Sequence, residues 1–276
     1  MQADALDPSA VDRARPAGAP LGADRRTAWL LAATPLVLLL THYAAVLPHE
    51  FAHSVVAWLV GIKDQPGNVD WGGTSLLNVL GLVDIYENVD YRAALDAGRF
   101  WQVALVAFAG PGLANGGLYL LSRRFIASPR LADRPLAAYV LFWFLLMNLA
   151  NLYDYVPIRA FAADGDVAHF RWGSGASPWL VYAVAGYLVL WAIIDFYWKV
   201  LPASLDVVGF AAPAARATVL VVATALLFGY FAIPGLLEPD PVSQFIARTS
   251  LLAVPAVVAA NWRRVVGRDG LRPRPA

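Results

Sequence analysis

Cysteine is absent from the 276 residues, which excludes disulfides, thiolate metal sites and cysteine nucleophiles. Charge is scarce too. Asp, Glu, Lys and Arg make up 15% of the chain, against about 25% in an ordinary soluble domain. With 4 histidines, the chain has too few for the metal centre of a histidine-box desaturase. Any metal chemistry must therefore rest on a few His, Asp, Glu or Asn side chains. The formal net charge of +1 argues neither for nor against an acidic partner, and no nucleic-acid partner is expected.

What is abundant is apolar sequence, 59% of the residues, gathered in long blocks. A bilayer crossing needs about 20 such residues in a helix. The blocks predict an all-α integral membrane protein of about six transmembrane helices: Ala28–Ile62, Phe100–Leu121, Leu136–Tyr153, Trp179–Leu201, Ala217–Leu237 and Phe245–Ala260. Pro48 divides the first block and predicts a kink there, with the second part starting at the proline. The connection 63–99 is long enough to hold short strands or a re-entrant piece. Residues 1–27 lack an apolar core and read as a disordered tail, 28–261 as the membrane domain with a catalytic core at about 45–170, and 262–276 as a basic tail. Of the 21 Lys and Arg residues, 15 fall on the side that carries both termini. The positive-inside rule then predicts cytoplasmic termini, in the cell membrane. Trp29, Trp179, Trp198 and Trp262 fall near block ends, where interfacial belts form.

Three ionisable residues interrupt the first block: His49, Glu50 and His53. Such groups are costly in hydrocarbon and by default mark a functional site. The order His-Glu-x-x-His puts both imidazoles on one helical face, where they can share a Zn²⁺. Glu50 then lies beside the metal as a general base. With so few His and Glu residues, a chance match is improbable. A zinc hydrolase needs a third protein ligand. Asp164, next to Gly165 after an aromatic stretch, is the first choice, with Asp166, Asp154 and His169 behind it. The stretch Asp164-Gly165-Asp166 is also an ordinary turn sequence. His42, two helical turns before His49, suits packing or a hydrogen bond better than ligation. Asp195 and Lys199 are spaced as a helical ion pair.

Three motifs together resemble the site-2 proteases, the intramembrane zinc metalloproteases. These are His49-Glu50-Phe51-Ala52-His53, Ala109-Gly110-Pro111 followed by Asn115, and an Asn-rich, Pro-containing segment ending at Asp164-Gly165. The resemblance is to a short form without a PDZ or nucleotide-sensing module. It implies Zn²⁺ bound by His49, His53 and Asp164, Glu50 as the general base, Asn115 helping to position a substrate, and a transmembrane protein as that substrate. Two spacings depart from the family pattern. One extra residue separates Pro111 from Asn115, and Asn151 lies 13 residues before Asp164, where Ala163 replaces the family's leucine. A catalytically silent relative and an ion- or proton-coupled transporter are the alternative readings; a transporter has no need of the His-Glu-x-x-His order.

Overall fold

A computed structural model describes residues 21–126 and 128–267. The chain is all-α, and no strand is formed among the described residues. One isolated antiparallel bridge joins Asp70 to Tyr86. Helices α1 (Leu21–Ala32) and α2 (Thr34–Leu59) meet at a 52° bend. Two short helices follow, α3 (Leu76–Gly81) and α4 (Tyr91–Asp96). Then come α5 (Phe100–Ile126), α6 (Pro135–Ile158), the short α7 (Asp166–Ser174), α8 (Pro178–Val208), α9 (Pro213–Leu237) and α10 (Pro241–Val265). Five of these helices are long and apolar enough to cross a membrane, and the bent pair makes up to six. By helix length and hydropathy this is a multi-pass membrane protein.

The starts of the spans are written in proline. Pro35, Pro135, Pro178, Pro213 and Pro241 each occupy the first turn of their helix, where the missing N–H has no helical partner to lose. Ser177 and Asp240 cap two of them through their side-chain oxygens, satisfying donors that a helix start leaves open. The central element is α6, whose Tyr139, Phe142, Trp143, Leu145, Leu146 and Leu149 are buried. Helix α8, by contrast, turns Trp179, Tyr187, Leu188 and Trp191 outward. In a membrane that outward face meets lipid, so its exposure carries no hydrophobic penalty.

Pro48 does not begin a new helix. It lies inside the continuous helix α2, and the bend falls at Ala33, just before Pro35. A proline in the first turn of a new helix cannot continue the old hydrogen-bond ladder, so Pro35 breaks the chain where Pro48 was expected to. Helix α1 begins at Leu21, inside the stretch assigned to the tail; residues 1–20 and 268–276 of the two tails lie outside the described residues.

The connection 63–99 folds back against α2. His42 Nε2 pairs with Gly81 O at 3.0 Å, and the Tyr43 hydroxyl donates to Val79 O. Lys63 gathers the carbonyls of Asn68, Glu87 and Asn88. His42 thus takes the hydrogen-bonding role expected of it. Asp195 is buried and bonds mainly to Arg123, at 2.5 and 2.8 Å, with Lys199 at 3.5 Å. The helical pair with Lys199 is real, but the stronger partner comes from α5.

Candidate metal centre

The two histidines sit in the C-terminal half of α2, one turn apart on its buried face. Their Nε2 atoms are 3.0 Å from each other. Asp166 Oδ2 lies 3.0 Å from His49 Nε2 and 3.2 Å from His53 Nε2. Three ligand atoms therefore converge on one point. Glu50 is buried beside them, its Oε1 4.0 Å from His49 Nε2. That is near enough to serve the point and too far to bond to the histidine.

The hydrogen bonds behind the histidines determine which nitrogen faces that point. His53 Nδ1 is 2.6 Å from Val106 O, which can only accept. Hence Nδ1 carries the proton and Nε2 the lone pair. His49 is oriented through a longer chain. Asn148 Nδ2 donates to Phe144 O at 2.8 Å, which turns Asn148 Oδ1 toward Asn115 Nδ2 at 3.0 Å. Asn115 Nδ2 also donates to Ala45 O at 3.2 Å, leaving Asn115 Oδ1 as acceptor for His49 Nδ1 at 2.6 Å. Both imidazoles thus present lone pairs toward a carboxylate oxygen. Three acceptors this close repel one another unless a cation or a proton lies between them. Metal-ligating histidines are held this way, by acceptors on the far nitrogen.

A second fit comes from Gly110. A Cβ built on it would stand 2.1 Å from His53 Nε2 and 2.5 Å from His49 Nε2. Only a bare glycine lets the α5 backbone close over the ligand atoms while leaving the point between them free. Pro111 follows at once, and the stretch Ala109–Gly116 is wound as a π-helix. Proline withholds a backbone donor, and such widened turns accommodate one residue more than an α-helix. The extra residue between Pro111 and Asn115 is absorbed there, and Asn115 still reaches His49.

The aspartate that meets the histidines is Asp166, not Asp164. Gly165 has φ +82, a left-handed conformation favoured only by glycine, and it turns the chain between the two. Asp164 points outward, its side chain 86% exposed against 13% for Asp166. It accepts the Gly165 N–H at 2.8 Å and pairs with His169 at 3.3 Å. Asp166 instead opens α7, which packs along α5. Burial works against the ionised form of Asp166, but His53 and His49 outweigh it and hold its carboxyl well below the usual carboxylate range. The other two candidates are also occupied elsewhere. Asp154 pairs with Arg159 at 2.6 Å, and His169 stacks on Tyr91 with ring centroids 4.0 Å apart. Burial keeps His169 below the ordinary histidine range despite Asp164.

One residue of the centre has no counterpart in the sequence motifs. Tyr155 follows the end of the α-helical part of α6, where Asp154–Ile158 forms a widened turn and Val156 is extended. Its ring lies parallel to His49 at 5.0 Å and 10°, and its hydroxyl is 3.1 Å from His49 Nε2. Tyr155 and Asp166 both line a cavity of about 450 Å³ that runs between α5, α6, α7 and α8. Phe108, Phe170, Val181 and Leu188 give it otherwise apolar walls.

If Asn115 orients His49, its loss weakens the ligand without removing it. Asn115→Ala is expected to lower the affinity for a metal such as zinc by about 10–100-fold, the usual effect of losing an outer hydrogen bond to a ligand. A competition titration against a zinc chelator reads this directly. An affinity unchanged within twofold would remove Asn115 from the centre.

Fold and site together define a multi-pass helical membrane protein with a buried His-His-Asp group suited to a metal ion. No protein-family model matches the chain, and neither comparison with curated proteins nor comparison with solved structures gives a match.

Proposed function

We propose that the protein is an intramembrane zinc endopeptidase of the site-2 type, cleaving peptide bonds within or near transmembrane segments of other membrane proteins. The observation that carries this reading is the convergence of His49 Nε2, His53 Nε2 and Asp166 Oδ2 beneath the Gly110 backbone, with Glu50 4.0 Å from His49. Zn²⁺ held by His49, His53 and Asp166 would polarise a scissile carbonyl and acidify water. The rest of the chemistry belongs to the protein. Glu50 takes the proton of the attacking water and delivers it to the departing amide nitrogen. Glu50 is itself buried, and away from bulk water charge interactions are stronger.

The setting supports a bilayer substrate. Helices of membrane-crossing length supply Gly110, Asn115 and Tyr155, and the bent pair supplies His49, Glu50 and His53; the cavity reaching Asp166 has apolar walls fit for an apolar segment. The charge asymmetry of the loops further supports cytoplasmic termini in the cell membrane.

The test is purification in detergent, measurement of bound zinc, and assay on a panel of single-span substrates. Wild type is expected to carry one zinc per chain and to cleave. Glu50→Gln keeps the zinc and cleaves about 10²–10⁴-fold more slowly, the usual worth of a positioned general base. A zinc-free wild type, or undiminished cleavage by the variant, overturns the reading. A zinc-free protein that moved protons or ions in liposomes would be a transporter instead.

A further inference from the structure

The geometry points to Tyr155 as a catalytic residue, its hydroxyl donating a hydrogen bond to the carbonyl oxygen of the bond being cut. This rests on the peptidase reading. Among the described residues the hydroxyl has one hydrogen-bond partner, His49 Nε2 at 3.1 Å. That nitrogen carries the lone pair aimed at the shared ligand point, as the Asn148–Asn115–His49 chain requires. Once the lone pair is given to a metal, the Tyr155 proton has lost its acceptor. A buried donor without an acceptor costs about 1–3 kcal/mol. Among the side chains lining the cavity beside it, the Asp166 carboxylate is turned to the two histidines and Ser174 is tied to Phe170 O, and the remaining walls are apolar. The oxyanion that develops from a scissile carbonyl at this point is the group that would satisfy it.

The ring is held for this task. It stacks on His49 at 5.0 Å, and the Arg159 guanidinium lies 4.5 Å from its centroid. Arg159 is itself tied to Asp154 at 2.6 Å. A donor fixed in advance where negative charge will develop stabilises the transition state without reorganisation. In the step itself, water oxygen bonds to the carbonyl carbon as Glu50 takes its proton. The carbonyl oxygen gains the charge that Tyr155 meets. The C–N bond then breaks, Glu50 returns the proton to nitrogen, and a carboxylate and an amine leave. Tyr155 keeps its proton throughout.

The decisive variant is Tyr155→Phe, which keeps the ring and its stacking and removes only the hydroxyl. Zinc content should be unchanged, kcat should fall about 10²-fold and KM should move less than threefold, as for loss of one oxyanion donor. A readout independent of turnover is the affinity for a phosphinic peptide, a tetrahedral mimic of the intermediate. It should fall by a similar factor, while the affinity of Glu50→Gln for uncleaved substrate is indifferent to the added Tyr155→Phe. Loss of zinc in Tyr155→Phe would make the tyrosine a ligand and overturn the assignment. Unchanged phosphinate affinity would make it packing and do the same. A wild type that neither binds zinc nor cleaves fails the peptidase reading; a wild type that cleaves no faster than Tyr155→Phe fails this inference alone.

Discussion

Asp166→Ala is expected to strip zinc from the protein and reduce cleavage to background, while Asp164→Ala retains both within about twofold. A single residue, Gly165, separates the two aspartates, yet its turn sets them on opposite sides. Removing Asp166 takes away the one carboxylate oxygen within 3.2 Å of both Nε2 atoms. Two neutral imidazoles alone hold zinc poorly, since a catalytic site of this kind uses three protein ligands. The lost charge also matters, because Asp166 is the only anion bonded to the histidines among the described residues. Removing Asp164 costs an exposed contact with His169 and a turn hydrogen bond, together worth about 1 kcal/mol or less. Metal analysis of the two purified variants decides between them. Zinc lost from Asp164→Ala and kept in Asp166→Ala would reverse the assignment.

That contrast also marks where the sequence stops being readable. The His49, Glu50 and His53 constellation follows from helical periodicity, because residues four apart on one helix face must meet whatever surrounds them. The spans are legible for a similar reason: length and apolarity are local properties. The third ligand is not local. Asp-Gly-Asp offers two carboxylates, and the choice depends on the φ of Gly165 and on how α7 lies against α5. The one sequence hint was that an aspartate just after glycine begins an apolar helical stretch, Val167-Ala168, where an acidic side chain favours the helix start. Tyr155 had no hint at all. It reaches His49 because the helix loosens over Asp154–Ile158, and nothing in an aromatic-rich span singles out one tyrosine.

Proline misled in one place and helped in another. Pro48 lies within an unbroken helix, whereas Pro35 in the first turn of α2 accompanies the 52° bend. A helix interior can tolerate proline when neighbours take up the freed backbone groups. At Pro111 the consequence is different, a π-helical stretch that accommodates an extra residue. The spacing that departs from the site-2 pattern is thereby consistent with Asn115 reaching the histidine. A motif counted in residues shifts when the helix pitch shifts; the position of the side chain in space does not.

The second large effect is expected at Gly110, where the chain has no room for even a methyl group. In Gly110→Ala the new carbon would be built 2.1 Å from His53 Nε2 and 2.6 Å from His49 Cε1. These neighbours are rings locked by their Nδ1 hydrogen bonds to Val106 O and Asn115 Oδ1. Neither can swing aside without breaking that bond, so the α5 backbone must retreat or the imidazoles must turn. Overpacking of this sort costs about 1–3 kcal/mol, a loss visible as a lowered melting temperature. The larger consequence is chemical. The methyl group would intrude on the ligand atoms themselves, so zinc content should fall to background together with cleavage. The comparison that isolates the cause is Gly112→Ala, two residues on in the same π-helical stretch. There the three atoms nearest the added carbon all belong to the Phe108 ring, a half-exposed side chain on the cavity wall that can rotate away. Gly112→Ala is expected to keep its zinc. If Gly110→Ala keeps it as well, the α5 backbone does not close over the ligands as described, and the shared point between His49, His53 and Asp166 is not where the metal binds.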